Sequence, residues 1–111
     1  MRPVKLEVKG FSAFRDEAVV DFADIELVAL VGATGSGKSS VIDAMTFALY
    51  GSAARYGERD VAPMINQLST EARVRFTFEV AGVQYSATRV VRRTKTGATT
   101  KEARLERSEE R

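Results

Sequence analysis

The chain has 111 residues, 44% of them hydrophobic, and a net charge of +2, enough apolar content for one modest core and none of the imbalance of a disordered tail. It has no cysteine and no histidine, which excludes disulfides, thiol nucleophiles, cysteine-bound zinc, imidazole acid–base chemistry and histidine metal ligation. Met1-Arg2-Pro3-Val4-Lys5 lacks the apolar core of a signal peptide, and no run approaches the roughly 18 apolar residues of a membrane span.

Val4, Leu6 and Val8 alternate with Lys5, Glu7 and Lys9, the period-2 pattern of a half-buried strand that ends at Gly10. Phe11-Ser12-Ala13-Phe14 turns the chain, with Phe11 and Phe14 read as core or loop anchors rather than base-stacking platforms. Ala18-Val19-Val20-Asp21-Phe22 is a second strand, hairpin-paired with the first. Ala23-Asp24-Ile25-Glu26 then leads to Leu27–Val31, a short apolar run of the kind buried in parallel sheets.

Next comes Gly32-Ala33-Thr34-Gly35-Ser36-Gly37-Lys38-Ser39, which fits the phosphate-binding loop G-x-x-x-x-G-K-[ST]. Strand, glycine loop and helix is the context in which this motif has a mechanism. Glycines let the backbone approach a phosphate, consecutive N–H groups form an anion nest, and the helix N-terminus adds its positive end. Lys38 is expected at the β- and γ-phosphates of ATP, and Ser39 on Mg²⁺, an ion that takes few protein ligands. The helix runs from Ser40 to Tyr50 with Val41, Ile42, Ala44, Met45, Ala48 and Leu49 around much of its circumference, so it should be largely enclosed. Gly51 ends it.

Ser52 to Thr70 has no clear period and reads as a long loop with a short helical turn. In Arg73–Val80, Val74, Phe76, Phe78 and Val80 alternate with Arg73, Arg75, Thr77 and Glu79. Ala81-Gly82 is a tight connection, and Val83, Tyr85, Ala87, Arg89 and Val91 share one parity of the returning strand. Arg92 to Gly97 is an exposed hairpin tip. Lys101–Arg107 has a helix-favouring composition, but its place after a hairpin favours a third antiparallel strand, the preferred reading. The fold class expected is mixed α/β, with antiparallel strands before the phosphate-loop strand and a C-terminal antiparallel hairpin or three-stranded sheet.

Val8-Lys9-Gly10-Phe11, Val20-Asp21-Phe22, Leu30-Val31-Gly32, Ser39-Ser40-Val41-Ile42-Asp43-Ala44 and Phe47-Ala48-Leu49-Tyr50-Gly51 together resemble the N-terminal ATPase lobe of the SbcC family, which belongs with the SMC proteins and double-strand-break repair ATPases. The resemblance covers nearly the whole chain. It implies that residues 1–111 are one lobe of an ABC-type ATPase domain that precedes a coiled coil. It implies triphosphate contacts from Thr34 to Ser40, with Ser39 also on Mg²⁺, and an approach to the adenine near Ile65-Asn66-Gln67. In archaeal and eukaryotic relatives the residue after the first-turn Phe is an arginine that contacts nucleotide; here it is Ser12, with Arg15 nearby. The implied partners are the C-terminal ATPase lobe of the same protein, a second copy joined through ATP, an SbcD-type metallophosphoesterase nuclease and double-stranded DNA. The implied location is cytoplasmic and nucleoid-associated, with no membrane partner.

A Q-loop glutamine, a signature motif and a Walker B Asp-Glu pair are not recognisable, so the sequence offers no catalytic residue and is expected to hydrolyse ATP poorly by itself. Arg73, Arg75, Arg89, Arg92, Arg93, Lys95 and Lys101 concentrate positive charge in the C-terminal region. They read either as DNA-backbone contacts or as solvated strand edges that discourage edge pairing. Three functions remain open on sequence: an SbcC-type lobe controlling a nuclease, another SMC- or RecF-like ATPase, and a nucleotide-binding module without turnover.

Overall fold

A computed structural model describes residues 1–22, 36–51 and 62–108, and the backbone alone for 36–39. β1 (Arg2–Lys9) and β2 (Ala18–Asp21) pair antiparallel with Leu6 opposite Val20, the first hairpin expected from the alternation. α1 (Ser36–Tyr50) follows. After one turn of 3-10 helix at Ala62–Met64 come β3 (Glu71–Val80), β4 (Val83–Arg93) and β5 (Ala98–Arg107) as an antiparallel meander. β1 also pairs β3, with Leu6 opposite Phe76 and Val8 opposite Val74. That pairing merges the two hairpins into one five-stranded sheet of order β2-β1-β3-β4-β5.

The β3–β4 turn is a two-residue hairpin with Val80 opposite Val83. Ala81 and Gly82 both have positive φ, 52° and 81°, the type I′ conformation whose twist matches the flanking strands. Between β4 and β5 the register shifts at Val90/Val91, so Val90 faces Glu102 and Val91 faces Thr100 while Lys101 bulges out. The segment 101–107 is therefore a strand despite its helix-favouring composition. β4 offers it a row of backbone partners, and Arg104 pairs with both Glu102 and Glu106 on one face.

Opposed residues share a face, so pairing and burial together sort the sheet. Leu6, Val8, Ala72, Val74, Phe76, Phe78, Ala87 and Val91 face inward to the core. α1 buries Val41, Ala44, Phe47 and Ala48 against them, which are one face of a helix at i, i+3, i+6 and i+7. The Phe11 and Phe47 rings meet at 5.5 Å and Phe76 lies 5.4 Å from Phe78, so Phe11 is a core anchor as its place in the loop suggested. Of the apolar residues expected to enclose the helix, Val41, Ala44 and Ala48 are buried and Met45 and Leu49 half-buried, while Ile42 and, at the C-terminal end, Tyr50 are exposed. The expected strand at Leu27–Val31 lies outside the described residues. No helix among them is long and apolar enough to cross a membrane.

Candidate nucleotide-binding site

α1 begins at Ser36, so Ser36, Gly37, Lys38 and Ser39 form its first turn. This is the placement the phosphate-loop motif requires, because the first N–H groups of a helix have no partners within it. The first turn carries no acidic residue. Gly32, Ala33, Thr34 and Gly35 lie outside the described residues. Among the described residues no group of three or more acidic side chains converges.

Ser40, also expected at the triphosphate, uses its side chain elsewhere. It is buried, its Oγ is 2.9 Å from Ser12 Oγ, and it accepts from the Ala13 N–H at 3.4 Å. Any contact from Ser40 to a phosphate would come through its backbone. Ser12 has φ 51°, and its N–H donates to the Met64 carbonyl at 2.6 Å. Ile65, Asn66 and Gln67 stand beside it. Phe11 bridges to Ile65, Asn66 N–H donates to the Gly10 carbonyl at 2.8 Å, and Asn66 Nδ2 donates to the Ser12 carbonyl at 2.8 Å. Asn66 Oδ1 accepts from the Leu68 N–H at 2.9 Å. Asn66 thus pins two loops together rather than pointing a free amide outward, while Gln67 is exposed. With Ser12, Pro63 and Leu68, these three residues line an open cavity of about 310 Å³. The structure therefore brings the predicted adenine-side residues next to Ser12, which meets Ser40 of α1.

The C-terminal cations divide between the two faces of the sheet. Arg73 and Arg75 are exposed on the outer face of β3, and Arg92 lies on the same face of β4, paired with Glu71 at 3.3 Å. Arg89 has the opposite parity and reaches under the sheet, where its Nε donates to the Ala48 carbonyl at 3.0 Å. Gly51 N–H donates to the Phe47 carbonyl at 2.7 Å, and the Arg89 guanidinium lies against Gly51. Arg89 thus caps the C-terminal end of α1 with positive charge at its negative end. Arg93, of the same parity, directs Nη2 to the Ile65 and Asn66 carbonyls at 3.4 and 3.3 Å. Lys95 sits exposed at the hairpin tip and Lys101 at the β5 bulge. The parity shared by Tyr85, Ala87, Arg89 and Val91 already set Arg89 on a different face from Arg92.

Sequence reading missed cations that do join Arg73 and Arg75. Lys5 and Lys9 of β1 and Arg104 of β5 lie on the same outer face. Lys9, Arg73, Arg75 and Arg104 line a cavity of about 240 Å³ whose floor includes Thr88. Thr88 is buried, and its Oγ1 has no hydrogen-bond partner among the described residues. Glu7 and Glu17 share the cavity, so the face is mixed in sign. Arg73–Glu102 at 3.9 Å and Arg104–Glu102 at 2.8 Å join exposed arginines to a half-buried Glu102, and surface pairs are worth about 0–1 kcal/mol.

An AAA domain family profile matches residues 5–110. The chain is 53% identical over 89 residues to the SbcC subunit of the SbcCD nuclease of Deinococcus radiodurans, covering 80% of this chain and 10% of that protein. It is 40% identical over 93 residues to a probable DNA double-strand break repair Rad50 ATPase of Aquifex aeolicus, covering 83% and 10%. The chain thus spans about a tenth of the length of these curated relatives. Among solved structures, the SMC head domain from Thermotoga maritima superposes with a TM-score of 0.60 at 28% identity, over 97% of this chain and 38% of that one. The glycine loop, the helix that opens inside it, the antiparallel sheet against that helix and these matches lead to one conclusion: the chain belongs to the AAA domain family, in the branch similar to SbcC, Rad50 and SMC heads.

Proposed function

We propose that this chain is the ATP-binding lobe of an SbcC-type protein, in which ATP binding and hydrolysis drive dimerisation and control a partner nuclease in DNA repair and recombination. The observation that carries the reading is the opening of α1 at Ser36 inside the G-x-x-x-x-G-K-S motif, which turns the N–H groups of the motif's second half into a helix N-terminus. Residues 32–39 supply the anion nest, Lys38 holds the β- and γ-phosphates, and the backbone of Ser40 extends the contact. Ile65, Asn66 and Gln67 form the base side through their cavity with Ser12. Ser39 is the protein ligand for Mg²⁺, which neutralises phosphate charge when bound. The water-positioning carboxylate and the opposite wall of the site come from a C-terminal lobe and a second copy, so this lobe alone binds weakly and turns over poorly.

The further partners in this reading are an SbcD-type metallophosphoesterase nuclease and double-stranded DNA, in a cytoplasmic, nucleoid-associated complex. Arg73, Arg75 and Arg92 on the outer face and Lys95 at the hairpin tip, joined by Lys5, Lys9 and Arg104, are the DNA-backbone-contacting set, while Arg89 and Arg93 turn to the other face and are not part of it. The likeness to an SMC head supports a second reading, a chromosome-maintenance ATPase with the same site. Copurification with a metallophosphoesterase nuclease separates the two. The test of the site itself is Lys38→Ala in the full-length protein, which should abolish ATP binding while far-UV circular dichroism stays that of the wild type. Unchanged ATP affinity in that variant overturns the proposal.

A further inference from the structure

We infer that Ser12, pinned by Asn66, is a positioning residue for the phosphate-binding turn of α1, setting Mg²⁺-ATP affinity through its hydrogen bond to Ser40. This rests on the reading of Gly32–Ser39 as a nucleotide site. Ser40 follows the proposed Mg²⁺ ligand directly, and its hydroxyl is shut away from water at 1% exposure. That hydroxyl meets Ser12 Oγ at 2.9 Å and the Ala13 N–H at 3.4 Å, both from the β1–β2 loop. The loop is in turn over-determined. Ser12 holds a left-handed backbone that a non-glycine residue adopts only when its surroundings enforce it. The enforcement comes from Met64 and Asn66, which bond both its N–H and its carbonyl, and Arg93 of β4 holds the Ile65 and Asn66 carbonyls from behind.

The result is a continuous polar chain, Arg93 to Asn66 to Ser12 to Ser40, ending at the phosphate end of the helix. A simple anchor for α1 would serve as well anywhere along its length, and the core already supplies one through Ala44 and Phe47. A hydrogen bond at Ser40, the residue directly after the proposed Mg²⁺ ligand, instead ties the N-terminal end of the α1 backbone to the β1–β2 loop.

The experiment uses the full-length protein and the variants Ser12→Ala, Ser40→Ala and the double. ATP dissociation constants are measured with Mg²⁺ and with EDTA, alongside the melting temperature. Each single variant should weaken Mg²⁺-ATP binding about fivefold, the scale of one hydrogen bond. The double should be no weaker than Ser40→Ala, which already removes the shared bond together with the Ala13 contact. The change in EDTA should be under about twofold, because the effect runs through the Mg²⁺ ligand. Wild-type Mg²⁺-ATP affinity in Ser12→Ala overturns the inference. So does an equal loss with and without Mg²⁺, which makes the cluster a fold element only. Should Ser40→Ala fail to fold, Ser12→Ala decides alone, since Ser12 is half-buried and outside the helix. A wild-type protein that binds no ATP overturns the nucleotide site itself, and is told apart from the other outcomes by its own control.

Discussion

Arg89→Ala removes a guanidinium that donates to the Ala48 carbonyl at 3.0 Å and lies against Gly51 at the end of α1. Ala48 is 2% exposed, so water cannot readily take over the abandoned acceptor. A hydrogen bond from a charged donor is worth about 1.5–3 kcal/mol, and the half-buried setting argues for the lower end. The cation at the helix C-terminus adds about 0.5 kcal/mol. The expected loss is about 2 kcal/mol, which with a urea m-value near 1.5 kcal/mol/M moves the unfolding midpoint by about 1.3 M. Urea titration of the 111-residue chain followed by far-UV circular dichroism reads this directly. Arg89→Lys should recover part of it, keeping the charge and one donor but not the planar fork. DNA affinity should stay unchanged. The reasoning fails if the midpoint holds while DNA binding weakens and its salt slope falls by about one phosphate contact, for that outcome puts Arg89 on the nucleic acid.

Arg75→Ala, on the outer face, should give the opposite pattern in the full-length protein: weaker DNA binding with a salt slope lower by about one, and a stability change within about 0.5 kcal/mol. Phe76→Ala empties a fully buried position beside Phe78 in the middle of the sheet and should cost about 3–5 kcal/mol, measured by denaturant unfolding. Gly10→Ala places a Cβ on the Glu71 carbonyl at a φ of 69°, where β1 hands over to the Ser12 loop. It should cost more than about 2 kcal/mol and weaken nucleotide binding, since that loop meets the phosphate helix; a midpoint within error of the wild type would show that the β1–β3 junction yields easily.

Much of this molecule is written in short-range pattern. Alternation in Val4–Lys9, Arg73–Val80 and the returning strand sets a two-residue period that only an extended chain can satisfy with one face buried, and those strands are present. Ala81-Gly82 closes its hairpin because the turn geometry is decided by the two residues themselves. The phosphate-loop spacing and the helix after it are likewise local, since the glycines, lysine and serine act within a few residues of one another. The tertiary structure decided what depends on residues far apart in the chain. Pairing of β1 with β3 joins Val8 to Val74, and that register made two hairpins one sheet. It also sorted the arginines, for a strand's parity tells which residues share a face but not which face meets a helix. Arg89 ended beneath the sheet on Ala48, and Arg75 on the open side. The segment 101–107 became a strand because the edge of β4 offered its backbone partners, an energy that composition does not contain. The hydrogen bonds among Ser12, Ser40 and Asn66 exist only because three separate stretches of chain are brought together by a core to which each contributes apolar side chains, Phe11, Phe47 and Ile65 among them.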